Sequence, residues 1–206
     1  MQLPPPRVSR CQHAMTWLAG GFVAALVIAV VALGVYPAWG HMLYYHPAND
    51  ALWRALPAQC VHLNTPHLLM NLAALLGAAL IAGYLHSLSR LPGALLTSAV
   101  AVGLGLQMET PPLSWYVGMS GALYGVFVWL ALEAVRQADS WHLKLTAFII
   151  GVGTGAKALL GIGGGMLLAN ASVAQGAHLY GYLGGLCFAC CTALSAHYQR
   201  RSARPQ

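Results

Sequence analysis

Two residues of this chain are of types that do chemistry together. Ser120 stands in Gly118-Met119-Ser120-Gly121 at the head of one apolar stretch, and His178 stands in Ala177-His178-Leu179-Tyr180-Gly181 at the head of another. A serine hydroxyl is a weak nucleophile until a base removes its proton, and a neutral imidazole can do so near pH 7. Attack by such an oxygen on an amide puts negative charge on the carbonyl oxygen. Prearranged donors must meet that charge, each worth about 3 kcal/mol. Three candidates are present: the backbone N–H of Ser120, the side-chain amide of Asn71 and the ring of His67. Tyr124 shares a helix face with Ser120 and could stack on His178 to hold its ring. Neither Asp50 nor Glu109 is obviously placed as a third member, so the expected site is a serine–histidine dyad without metal or cofactor.

The elements that carry these residues read as membrane helices. Of 206 residues, 58% are hydrophobic and only 7% are charged, and the mean hydropathy is +0.64. A soluble domain carries about 25% charged residues. So few charges cannot cover a water-facing surface, which implies an all-α polytopic bundle in a lipid bilayer. Six helices are expected, at about 15–36, 66–86, 92–108, 118–136, 143–161 and 176–198. They form one core over 15–198, between a short tail at 1–14 and a basic tail at 199–206. The net charge of +6 does not point to nucleic acid, because the basic residues cluster at segment ends. The first apolar run is too long for an ordinary signal-peptide core and reads as a retained helix.

Lysine and arginine counts set the orientation. With the N-terminus in the cytoplasm, the inner segments hold Arg7, Arg10, Arg90, Arg136, Lys144, Arg200, Arg201 and Arg204, and the outer side holds only Arg54 and Lys157. This bias favours an even number of spans with both termini inside. Depth then follows from the rise of about 1.5 Å per residue. Ser120 lies 16 residues before Arg136, His178 lies 22 before Arg200, and Asn71 and His67 lie 19 and 23 before Arg90. All four fall roughly 24–35 Å from the inner edge, in the outer half of the membrane.

Glycine spacing supplies a way to join the two helices. Gly121-x-x-x-Gly125 and Gly181-x-x-x-Gly185 each begin just after a candidate reactive residue. Small residues at this spacing let membrane helices pack backbone to backbone. If these two grooves meet, Ser120 and His178 come into contact.

Taken in order, Trp53-Arg54, His67-x-x-x-Asn71, Gly118-x-Ser120-Gly121 and Ala177-His178-x-x-Gly181-x-x-x-Gly185 resemble the motifs of the rhomboid intramembrane serine proteases. The resemblance covers about residues 15–198. It implies Ser120 as nucleophile, His178 as general base, His67 and Asn71 as donors on the oxyanion side, and Tyr124 packed against the base. His62 matches a recurrent histidine that orders the outer loop. The small core, with Val117-Gly118-Met119-Ser120-Gly121 and His178-Leu179-Tyr180-Gly181, looks like the rhombosortase subgroup. That subgroup implies exported substrates with a C-terminal Gly-Gly, a transmembrane helix and a basic tail. The resemblance further implies a bacterial inner membrane, with the active site opening to the outer, periplasmic side.

Other readings are weaker. A transporter would show a charged pathway or broken helices in repeated halves. A metal-dependent protease would show a His-Glu-x-x-His helix. Neither pattern is present. A rhomboid relative that only binds membrane clients is the closer rival, and the presence of both Ser120 and His178 argues against it. The stretch Gly161 to Gly176 reads as a lid or as a simple connection. Cys187, Cys190 and Cys191 read as small apolar packing residues, and Glu133 as a partner of Arg136.

Overall fold

The computed structural model describes residues 10–160 and 174–202. The lid reading falls largely on 161–173 and therefore lies outside the described residues, as do the ends of both tails. Among the described residues, eight α-helices run in chain order: α1 Arg10–Val35, α2 Pro37–His41, α3 Ala55–Ala58, α4 Thr65–Tyr84, α5 Leu91–Met108, α6 Ser120–Gln137, α7 Trp141–Leu160 and α8 Gln175–Ser202. Among the described residues, six of these have 18 residues or more. Five, all but α6, belong to segments long and apolar enough to cross a membrane. In α6, Glu133, Arg136 and Gln137 offset an otherwise apolar run.

The helix ends follow from local chemistry. The Asn64 side chain accepts a hydrogen bond from the His67 N–H at 2.9 Å, capping α4, and a proline occupies its first turn. The other end of α4 closes earlier than the expected residue 86. His86 adopts a left-handed φ of 49°, and the Ser87 and His86 N–H groups return to the carbonyls of Ala82 and Gly83, the pattern of a Schellman closure. Helix α1 starts at Arg10 rather than 15, and α8 continues to Ser202 rather than 198. Both extensions are polar turns that hydropathy alone does not count.

The long helices place α6 at the centre. It packs on α8, α7, α5 and α4, and ten of its residues are buried, Trp129 among them. Helices α5, α6 and α8 meet at Ser98, which is fully buried. There, a Cβ on Gly125 would collide with the Ser98 hydroxyl and a Cβ on Gly184 would press on the Ser98 backbone. The outward faces carry large apolar side chains, such as Leu80, Leu159 and Leu183, as lipid contact requires. Cys187, Cys190 and Cys191 belong to this exposed set, not to the helix seams. Trp39, Trp53, Trp115 and Trp141 are exposed as well.

The end of the bundle where α4, α5 and α6 meet through Arg90 and Arg136 is tied by one carboxylate. Glu133 is buried. It receives Arg90 Nη1 at 3.3 Å and Gln137 Nε2 at 2.7 Å on one oxygen, and Arg136 Nη1 at 3.2 Å on the other. Ser87 Oγ donates to it as well, at 3.3 Å. The Arg136 contact is the one its spacing suggests, whereas Arg90 and Ser87 arrive from the turn between α4 and α5.

Between α1 and α4 the chain forms a largely irregular segment. Asp50 forms an ion pair with Arg54, Oδ2 to Nε 3.3 Å, and accepts a hydrogen bond from the His46 N–H at 2.7 Å. Arg54 also donates to the Met42 carbonyl at 2.9 Å. Tyr45 and Tyr116 pair through their backbones, tying this segment to the one that precedes α6.

Candidate active site

Ser120 is the first residue of α6, two residues later than the expected start at 118. The reason is Gly118, whose φ of +109° is incompatible with a helix. Space also demands glycine there. A Cβ on Gly118 would lie 2.7 Å from Cε1 of His67, so any side chain would displace that ring.

His178 sits in the first turn of α8, and the glycines of the two helices set its distance from Ser120. A Cβ on Gly181 would strike the Gly121 carbonyl, and one on Gly185 would strike the Gly125 carbonyl. Main chain therefore lies against main chain along this seam. Across it, Ser120 Oγ and His178 Nε2 are 3.0 Å apart. This is the separation of a hydrogen bond, and it suits proton transfer from the hydroxyl to the imidazole.

The Tyr124 ring stacks on the imidazole of His178, with centroids 4.3 Å apart and planes at 15°. Helix α4, which packs on α6, contributes His67 and Asn71, both 5% exposed. The Asn71 amide donates to the His67 carbonyl at 2.9 Å, which uses one of its two N–H bonds. His67 Nδ1 faces the Leu63 N–H at 3.5 Å. A ring nitrogen that accepts is unprotonated, so the neutral ring carries its proton on Nε2.

His62 packs edge-on against His67, with centroids 5.0 Å apart, and its Nδ1 lies 3.2 Å from the Cys60 carbonyl. Burial, and then the proximity of His67, push the His62 imidazole down from the ordinary value of 6.5 to about 4, against the favourable contact with the Cys60 carbonyl. This ring is neutral at physiological pH. A cavity of about 210 Å³ opens beside it, between the end of α1, α2 and the start of α4, lined by Gly34, His41, Tyr44, His62, Asn64 and Thr65 among others. Neither Ser120 nor His178 lines it.

Both acids considered for a third position have other partners. Asp50 holds Arg54 and His46. Glu109 interacts with Tyr180, and a Cβ on Gly176 would run into its carboxylate, so it lies against the first turn of α8. That contact was not legible in the sequence. Its signal was faint: Gly105 and Glu109 are four apart on one face, and the Tyr180 ring lies where a Cβ of Gly105 would be. Tyr116 was missed too. Its hydroxyl donates to the Gly118 carbonyl at 2.7 Å. The signal was that Met119 cannot cap a helix, so something else must.

Comparison with known proteins bears on the same region. The Rhomboid domain matches residues 49–195, a span that holds His67, Asn71, Ser120, Tyr124 and His178. No curated protein and no solved structure matches the chain. With more than half of its length in that domain, and with five segments long and apolar enough to cross a bilayer, this chain is a multi-pass membrane protein of the rhomboid family of intramembrane proteases.

Proposed function

We propose that the protein is a serine endopeptidase that hydrolyses a peptide bond at or near the transmembrane segment of a substrate. The observation that carries this reading is the 3.0 Å approach of Ser120 Oγ to His178 Nε2 across a glycine seam. His178 takes the hydroxyl proton as Ser120 attacks the carbonyl carbon. Negative charge then forms on the carbonyl oxygen, beside the Ser120 N–H, the second N–H of the Asn71 amide and the protonated Nε2 of His67. His178 returns the proton to the leaving amine. Water, activated by the same imidazole, then releases the acyl group from Ser120. Tyr124 keeps the imidazole plane fixed throughout.

The substrate class and orientation rest on the sequence. Similarity to rhombosortase around Ser120 and His178 supports exported substrates that end in Gly-Gly, a transmembrane helix and a basic tail. The eight-to-two excess of inner lysine and arginine supports a six-span arrangement in a bacterial inner membrane, with both termini cytoplasmic and the site facing outward.

The test is cleavage of a membrane-anchored reporter with that tail by wild type, Ser120→Ala and His178→Ala, with product mass locating the cut. A cut beside the Gly-Gly that both substitutions abolish supports the whole reading. A cut elsewhere, equally dependent on both residues, keeps the protease and discards the subgroup. Failure on varied membrane substrates leaves a rhomboid that binds clients without cutting them.

A further inference from the structure

Helix α6 begins without a cap of its own. Its N-cap residue is Met119, which makes no side-chain capping bond, and the first N–H groups of any helix lack partners within it. One oxygen stands in their place. The Tyr116 hydroxyl donates to the Gly118 carbonyl at 2.7 Å, and the Gly121 N–H lies within hydrogen-bonding reach of the same oxygen. A Cβ on Gly121 would come within 3.0 Å of it. Tyr116 is 4% exposed, and its backbone is pinned on both sides by Tyr45, through N–H to carbonyl bonds of 2.7 and 3.2 Å. The phenol is thus held from outside the turn it braces.

We infer that Tyr116 is a positioning residue for the reaction: its hydroxyl serves as the N-terminal cap of α6 and fixes the turn Gly118–Gly121 that presents Ser120. By engaging the Gly121 N–H and the Gly118 carbonyl together, it settles two of the groups nearest the serine. The Ser120 N–H is the donor left facing the reacting carbonyl. The Gly118 N–H is held by the Ala58 carbonyl at 3.2 Å, but Gly118 has no side chain to restrain its unusual φ, so the carbonyl side of the turn depends on the phenol. Tyr116 does not itself touch the substrate.

This inference rests on Ser120 being the nucleophile, and the test separates the two claims. The full-length protein in detergent is treated with a fluorophosphonate, and the rate and the final extent of labelling at Ser120 are followed by mass. Tyr116→Phe removes the oxygen and keeps the ring. Tyr45→Phe is the control, since it removes an equally buried phenol oxygen that donates to the Gly103 carbonyl instead. The expected result for Tyr116→Phe is a labelling rate lowered at least tenfold, with the same final extent as wild type and a thermal midpoint close to that of Tyr45→Phe. Cleavage should show the same loss in kcat, with KM little changed. Equal rates in Tyr116→Phe and wild type overturn the inference, as does an equal slowing in the Tyr45→Phe control. A wild type that is not labelled at Ser120 overturns the nucleophile assignment and this inference with it. Should Tyr116→Phe not fold, 3,5-difluorotyrosine at position 116 keeps the shape and weakens the oxygen as an acceptor. Slowed labelling is then expected, and an unchanged rate overturns the inference.

Discussion

Tyr124 and His178 stack almost in parallel, with ring centroids 4.3 Å apart and planes at 15°. No carboxylate is needed to hold an imidazole in this way. A stacked ring fixes its plane through contact area and quadrupole geometry, worth about 0.5–1.5 kcal/mol. Tyr124→Phe should therefore keep most of the activity, whereas Tyr124→Ala should lower kcat by about tenfold. Steady-state cleavage by the two variants checks this, and equal losses would show that the hydroxyl, not the stack, matters.

The seam between α6 and α8 should be intolerant of any side chain. A methyl on Gly185 would lie against the Gly125 backbone, which cannot move without shifting α6. Gly185→Ala should cost about 1–3 kcal/mol through overpacking. Gly153 on α7 has nothing within 4 Å of an added Cβ, so Gly153→Ala should be neutral or stabilising by about 0.5–1 kcal/mol through helix propensity. Denaturation in mixed micelles measures both changes.

Removal of the buried Glu133 should be milder than its burial suggests. Losing one partner of a fully buried ion pair costs about 3–5 kcal/mol, because a charge is stranded. Here the side chains of Arg90 and Arg136 remain 43% and 37% exposed and can hydrate. Ser87 Oγ and Gln137 Nε2 both also donate to the Leu85 carbonyl. Glu133→Ala should therefore cost about 1–2 kcal/mol, again read by denaturation.

Acid should weaken the fold through His62. Its folded-state value, about 4, lies below the 6.5 of the free side chain. The unfolded chain thus binds the proton first as pH falls, and stability drops across the window from 6.5 to about 4. Above 6.5 the contribution of this ring is complete. His62→Gln should flatten the fall in thermal midpoint across that window relative to wild type, and an unchanged slope would assign the acid sensitivity elsewhere.

How much of this was legible in the sequence differs by length scale. Hydropathy located α4 and α5 to within a residue or two, because twenty apolar residues average out local exceptions. It was least accurate at the start of α1 and the end of α8, where polar turns carry the helix beyond the apolar run. Glycine spacing carried the long-range relation between Ser120 and His178, since backbone contact leaves a trace in composition. The short elements α2 and α3 left no periodic signal. The Tyr45–Tyr116 pair joins residues far apart in sequence through backbone groups that every residue possesses, so no side-chain pattern marks it. The start of α6 was misplaced for a related reason: Gly118 suits a membrane helix by composition, and only its φ of +109° excludes it.

The glycine seam also behaves as a ruler. Most helix contacts contain a cushion of rotatable side chains, which can be thickened or thinned by repacking. Between Gly121–Gly125 and Gly181–Gly185 there is no such cushion, because carbonyl groups meet alpha carbons directly. The interhelical gap is thereby set by the atomic radii of the polypeptide itself. A thicker or more compressed bilayer would be absorbed first by the side-chain contacts of α1 and α7, which flank the bundle, and the spacing between hydroxyl and imidazole would be the last dimension to change.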